Sequence, residues 1–387
     1  MGRRYSVISA DGHIESPPDR WVKYVPEKWR ERAPRLVPLA EGGEGWLVEG
    51  QPMLHNGPNI TGRGPIRFRN ASYWNADGSP AEGAGDARQR LREQDEDGID
   101  AEVLFPPVFA SRFLEGIGDP AVYASMVRAF NVYLAQDFCS VAPDRLIGNA
   151  VIPVCGIDAG LAELRAVHDL GLRSVSFYQF PNGSGRPAPA DDDFWATTLE
   201  LGIALSPHFG FGQVAATPGG SGRGVGHLDA ATTLSLRAGS HAPVYCMVQL
   251  IASGVFDRFP DIRFYFAETN ASWLPGTLYF LDDNYALYRD TFDLELRMKP
   301  SEYILRHCYF GIVRDPVALR LGDEMPYANL MWGSDFPHSV GTYPRSSVHL
   351  DEAFARIDDA TRRQILLETP AAYFGLDLQA EITPTPR

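Results

Sequence analysis

Strand-like and helix-like segments take turns along almost the whole chain, and this alternation limits the fold more than any other sequence feature. Short apolar runs lie at 5–10, 101–105, 147–154, 173–178, 203–208, 262–266, 307–312 and 330–333. Helical patterns fall between them at 87–97, 120–140, 159–170, 193–202, 244–259, 273–290 and 316–322. Nearly continuous apolar strands separated by helices describe a parallel sheet covered by helices. Eight such runs predict an α/β fold of the (β/α)₈ TIM-barrel type, with its active site at the C-terminal ends of the strands. The rival is an open doubly wound sheet. Its usual signatures, GxGxxG or GxxxxGK[ST] after a strand, do not occur.

Two stretches break the alternation. Residues 36–86 are rich in Gly, Pro and Asn, and residues 210–240 contain PGGSGRGVG. Both follow strands, so both are expected to be long loops rising from the catalytic face. No repeat or low-complexity linker divides the 387 residues, which predicts one barrel domain over 1–387. The formal charge is −14, from 35 basic and 49 acidic residues. That balance argues against nucleic acid or an anionic membrane as partner, since both reward clustered positive charge. No run of about 18 apolar residues occurs, so no transmembrane helix is expected. The first residues, MGRRYSVISADGH, lack the apolar stretch of a secretory signal. Cys139, Cys155, Cys246 and Cys308 form no CxxC pair, which predicts reduced thiols in a cytoplasmic protein.

Chemistry-bearing residues gather at strand ends. The first run closes with Asp11-Gly12-His13, and strand alternation puts Asp11 and His13 on one side. The fifth ends at His208, the sixth at Glu268 and the eighth at Asp335. Three carboxylates and two imidazoles converging without a cation would repel one another and resist desolvation. One divalent ion leaves about −1 on these five groups and two leave about +1, so either number is electrostatically sensible. The mixed His/carboxylate set suits Fe²⁺, Zn²⁺ or Mn²⁺. The bound ion would lower the pKa of its water and polarise a carbonyl. Asp335 or Glu268 would then serve as general base. His338 either polarises the carbonyl or protonates a leaving group, or else is a turn residue after Pro337.

Three segments are similar to the amidohydrolase-related TIM-barrel family: DGHIESPPDRW, IASGVFDRFPDIRFYFAETNASWLP and NLMWGSDFPHSVGTYPRS. The branch resembled includes aminocarboxymuconate-semialdehyde decarboxylase and the resorcylate decarboxylases. The resemblance implies a metal held by Asp11, His13, His208 and Asp335, and a homodimer, for which the aromatic-rich helix at 273–288 is a candidate face. The chain departs from that family pattern at two positions. Asp11 stands where the best-known members have His or Glu, and Glu268 stands where they have His. The bridging lysine of dinuclear members has no counterpart in 173–178. A second metal would then use Glu268, with His338. This last pattern is similar to a branch that includes a di-iron thioesterase acting on coenzyme A thioesters in terpenoid natural-product biosynthesis.

The leading expectation is a metal-dependent hydrolase of a thioester, ester or amide of a hydrophobic acid. The alternative is non-oxidative decarboxylation of an aromatic or unsaturated acid, and a non-catalytic binding barrel is a third reading. Tyr178 and Phe336, with Phe105, Phe109, Phe180, Phe209 and Phe211, are candidates for an aromatic substrate pocket or for packing at the barrel top. Arg63 and Arg67, beside Arg69, would hold an anionic group of a small-molecule substrate or form a solvated loop. His241 belongs either to a lid over the site or to a surface loop.

Overall fold

The computed structural model describes residues 3–38, 44–52, 72–107, 114, 117–208, 211 and 241–386, with the backbone alone at 51, 52 and 241. Eight parallel strands form one sheet: β1 (Ile8–His13), β5 (Ala101–Phe105), β6 (Leu146–Val151), β7 (Ser174–Ser176), β8 (Ala204–Leu205), β9 (Phe264–Phe266), β10 (Cys308–Ile312) and β11 (Leu330–Trp332). They pair in that order. The last strand returns to the first, because Gly12 bridges Phe336, the Asp335 amide donates to Asp11 O at 2.9 Å, and the His13 amide donates to Phe336 O at 2.7 Å. The sheet is a TIM barrel, and all eight apolar runs of the sequence supply its strands.

Helices connect the strands: α1 (Ala87–Asp97), α2 (Pro120–Tyr133), α3 (Ile157–Asp169), α4 (Asp192–Leu201), α5 (His241–Ala252), α6 (Val255–Arg258), α7 (Leu274–Tyr288), α8 (Pro300–His307) and α9 (Ser346–Ala353). Helix α1 has the bounds its pattern predicts. The Asp86 carboxylate accepts from the Gln89 amide at 2.9 Å, and Gly98 ends the helix in the left-handed region at φ 76°. Three expectations need correction. The pattern at 316–322 gives only the short turn Ala318–Arg320, because Asp315 caps it and Gly322 (φ 58°) stops it. The single helix expected at 244–259 is cut by Gly254 (φ 71°) into α5 and α6. The stretch 36–86 is not all loop: β2 (Arg35–Pro38), β3 (Glu44–Val48) and β4 (Gln51–Pro52) pair as a small antiparallel sheet. Its Trp46 is buried and donates to Tyr73 Oη at 2.9 Å.

Apolar packing falls into two regions. Leu104, Val175, Leu205, Phe264 and Trp332 face the helices, while Ile8, Ala10, Ala101, Val103, Tyr265 and Met331 pack with Phe374 of the C-terminal segment. Each fully buried Leu, Val or Phe contributes about 1.5–3 kcal/mol relative to exposure. Tyr279, Phe280 and Leu287 of α7 face solvent in the single chain. All four cysteines are unpaired. Among the described residues, no helix is long and apolar enough to cross a membrane.

Helix α1 also binds α9 through a buried carboxylate. Asp97 accepts from the Ser346 amide at 2.8 Å and from its hydroxyl at 2.5 Å. Burial outweighs these bonds and raises the Asp97 pKa to about 6. The folded state therefore holds this proton more tightly than the unfolded chain does. Stability from this group is complete below the unfolded pKa near 4 and is lost as pH rises through about 6, a change of up to about 3 kcal/mol. Urea unfolding of wild type and Asp97→Asn between pH 4 and 7 should show this slope only in the wild type.

Candidate metal centre

The C-terminal rim of the barrel gathers the residues that the strand ends promised. Register slips between Ser9 and Gly12 on β1, and both Asp11 and His13 are fully buried. Gly12 has no room for a side chain: a Cβ there would lie 2.1 Å from Glu102 Oε1. Past β8, His208 bridges Ala267 as the sheet's last contact. Glu268 follows β9 and Asp335 follows β11, and both take the left-handed backbone at φ 53°. Non-glycine residues adopt that region rarely, and such strain concentrates at functional sites.

Distances within the group are short. His13 Nε2 lies 3.1 Å from His208 Nε2 and 3.5 Å from both Asp11 Oδ1 and Asp335 Oδ1. His208 Nε2 is 3.8 Å from Asp11 Oδ1 and 3.7 Å from Glu268 Oε2. His13 Nδ1 donates to Pro106 O at 3.1 Å, so its Nε2 presents a lone pair to the centre. Both Asp11 carboxylate oxygens and Asp335 Oδ2 are buried with no hydrogen-bond partner. Leaving a buried carboxylate so exposed to its like is strongly unfavourable unless a cation joins it. The residues therefore fit a divalent ion, with Asp11, His13, His208, Glu268, Asp335 and His338 all in groups close enough to share one.

The electrostatics carry the same strain. Burial, then the charges of Asp335 and Glu268, hold the Asp11 pKa well above the usual carboxylate range. Burial and the neighbouring His338 and His208 push His13 well down. Burial also opposes charge on His338, but Asp335 and Glu15 outweigh it and hold His338 well above its ordinary value. His338 Nδ1 donates to Asp335 Oδ1 at 2.9 Å, and Nε2 lies 3.3 Å from Glu15 Oε1. The His338 backbone does form a turn, since its amide donates to Asp335 O at 2.8 Å, while its ring points into the centre.

Sequence reasoning missed Glu15. The run Asp11, His13, Glu15 keeps the two-residue period, and extending it one step would have found this buried carboxylate. It also missed a buried strut below the site. Arg90 of α1 pairs with Glu102 of β5 at 2.7 Å, donates to Phe336 O at 3.0 Å and stacks on the Phe336 ring at 4.4 Å. Ser334 Oγ donates to Glu102 Oε1 at 3.1 Å. Phe336 is thus packed against Arg90 and Tyr343. Tyr178 is half-buried beyond β7. Arg63, Arg67, Arg69, Phe109, Phe209 and the side chain of His241 lie outside the described residues, though the backbone of His241 begins α5 rather than a loop.

Comparison with known proteins agrees with this architecture. The sequence pattern of the amidohydrolase family matches residues 73–376. An amidohydrolase of Mycobacterium avium subsp. paratuberculosis K-10 superposes with a TM-score of 0.71 at 17% identity, over 97% of this chain and 99% of that one. A dihydroxybenzoic acid decarboxylase of Polaromonas sp. JS666, solved with bound manganese and the inhibitor 2-nitroresorcinol, gives 0.61 at 17%, over 96% and 97%. The 5-carboxyvanillate decarboxylase of Sphingomonas paucimobilis gives 0.58 at 20%, over 76% and 85%. At such identities these likenesses speak for the fold. With the family pattern spanning most of the barrel, the chain belongs to the amidohydrolase family.

Proposed function

We propose that this chain removes CO₂ from an aromatic or unsaturated carboxylic acid without an oxidant, with one divalent cation held by Asp11, His13, His208 and Asp335. The tightness of the donor set carries this reading. Ligands about 2.1 Å from a single ion stand roughly 3.0–3.5 Å apart. The separations of 3.1 and 3.5 Å around His13 Nε2 match that spacing. The 3.8 Å between His208 Nε2 and Asp11 Oδ1 is a little wider, and a second ion would have to draw on Glu268, 3.7 Å from His208 Nε2. The aromatic-acid decarboxylases among the structural likenesses support the same chemistry, and the manganese in one of them supports Mn²⁺ over Zn²⁺ or Fe²⁺.

When bound, the cation would neutralise these carboxylates and polarise oxygen groups of the substrate. The chain's own residues then have separate tasks. The carbon–carbon bond to the carboxylate breaks, a proton takes its place on the carbon, and CO₂ leaves, so no water is consumed. We assign the delivery of that proton to Glu268, a role supported by its position beside His208 and the Asp11–Asp335 pair. His338 fixes Asp335 from one side while Glu15 fixes His338 from the other.

Hydrolysis of a thioester, ester or amide is the second reading, and Glu268 favours it. Asp11, Glu268 and Asp335 offer oxygens all within 4.8 Å of one another, which would place a general base beside an activated water. One experiment separates the two. Hydroxybenzoates, unsaturated acids and acyl-thioesters are incubated in D₂O and, separately, in H₂¹⁸O, and metal content is measured on wild type and Glu268→Ala. Decarboxylation predicts CO₂, one deuteron on the carbon that lost it, and about one ion per chain in both proteins. If no acid releases CO₂, and a thioester instead yields ¹⁸O-labelled acid with about two ions falling towards one, hydrolysis replaces it.

A further inference from the structure

We propose that Asp315, with Asn270, is the positioning pair that aims Glu268 into the centre. The task for which Glu268 is aimed rests on the reading above; the aim itself does not. Glu268 and Asn270 both take the left-handed backbone at φ 53°, in the turn 268–272 that follows β9. Asn tolerates that region, but a Glu stays there only where its surroundings over-determine it.

Those surroundings come from the end of β10, the strand next to the one that carries Glu268. The Asn270 amide donates to Gly311 O at 2.9 Å, and Asn270 Oδ1 accepts from the Val313 amide at 3.3 Å. Asp315, which is buried, takes the next two amides on one oxygen: Ala271 and Ser272 donate to its Oδ2 at 2.7 and 2.8 Å. Its Oδ1 accepts from the Ala318 amide at 3.1 Å and caps the turn Ala318–Arg320. Capping needs only that oxygen, which leaves the other for the Glu268 turn. Bonds from amides to a carboxylate are the strong kind. Gly311 lets the two backbones meet, since a Cβ there would lie 2.8 Å from the Glu268 amide nitrogen and 2.6 Å from Tyr265 Oη. Held this way, Glu268 Oε2 stands 3.7 Å from His208 Nε2.

Crystal structures of the metal-free proteins, and steady-state kinetics with Mn²⁺ supplied, test this on Asp315→Ala, Asp315→Asn, Glu268→Gln and the double variant Asp315→Ala/Glu268→Gln. The substrate is whichever hydroxybenzoate, unsaturated acid or acyl-thioester of the panel above turns over. Asp315→Ala should move Glu268 Oε2 by about 1 Å or more and lower kcat roughly 100-fold with KM little changed. Metal content should stay that of wild type, because none of the four proposed ligands lies on this turn. Asp315→Asn keeps an oxygen for Ala271 and Ser272 and should restore most of the rate. In the Glu268→Gln background, Asp315→Ala should cost nothing further, since no carboxylate is left to aim. Asn270→Gly keeps the left-handed backbone and removes the side-chain acceptor, and it takes the place of Asp315→Ala if that variant does not fold. Losses that multiply across the pair, or a Glu268 that keeps its 3.7 Å distance to His208 in the variant, would overturn the assignment. If the pair couples on a thioester while no acid releases CO₂, the clamp stands and decarboxylation falls.

Discussion

Asp335→Asn is expected to lower kcat by at least about 10³-fold, because a metal contributes several kcal/mol of charge stabilisation and each 1.36 kcal/mol is tenfold. The substitution isolates charge from shape. Asn tolerates the left-handed backbone that Asp335 adopts at φ 53°, and its carbonyl oxygen still accepts from His338 Nδ1. What disappears is one of the carboxylates crowded around Asp11. Metal content should therefore fall, while the metal-free protein should melt no lower than metal-free wild type. Elemental analysis, turnover and thermal melting on matched samples check this. Wild-type turnover in the variant would remove Asp335 from the reaction.

The largest stability effect is expected at a residue outside the centre. Arg90→Met leaves Glu102 buried without its cation, which costs about 3–5 kcal/mol. Both side chains are almost fully buried, so little solvent screens that loss. The Tm should drop by roughly 5–10 °C. The Phe336 carbonyl also loses one of its two donors and keeps only the His13 amide, which loosens the turn that carries Asp335. Adding Glu102→Gln should recover much of the stability, because removing both charges of a buried pair is far milder than removing one. Denaturant unfolding of the four proteins in this cycle gives the coupling directly. Additive losses would show that the pair is not a unit.

The barrel and most of its centre were legible because they depend on local periods. Apolar runs of strand length, spaced by helices, announce the barrel, and the two-residue period aligns Asp11 with His13. Strand ends brought in His208, Glu268 and Asp335 by topology alone. What stayed hidden depends on approach in space. The pairing of Arg90 with Glu102, only 12 positions apart, gives no periodic signal, and its contact with Phe336 spans 246. The same holds for donor spacing. A preference for hydrolysis followed from Glu268 as a sequence feature, whereas the 3.1–3.8 Å separations among the donors exist only in the folded rim. The small sheet within 36–86 was read as loop because its Gly-rich sequence masks strands of five residues or fewer.

The join between β11 and β1 has a consequence for how the protein is made. Gly333 sits so close to Asp11 that a Cβ there would come within 2.4 Å of the Asp11 side chain, and the Asp335 amide completes the contact. Until β11 arrives, β1 is an exposed edge with two of the metal-capable side chains on it. A chain leaving the ribosome carries Asp11 and His13 for some 320 residues before Asp335 follows. A growing or truncated chain therefore has only part of the donor cluster until the final strand docks.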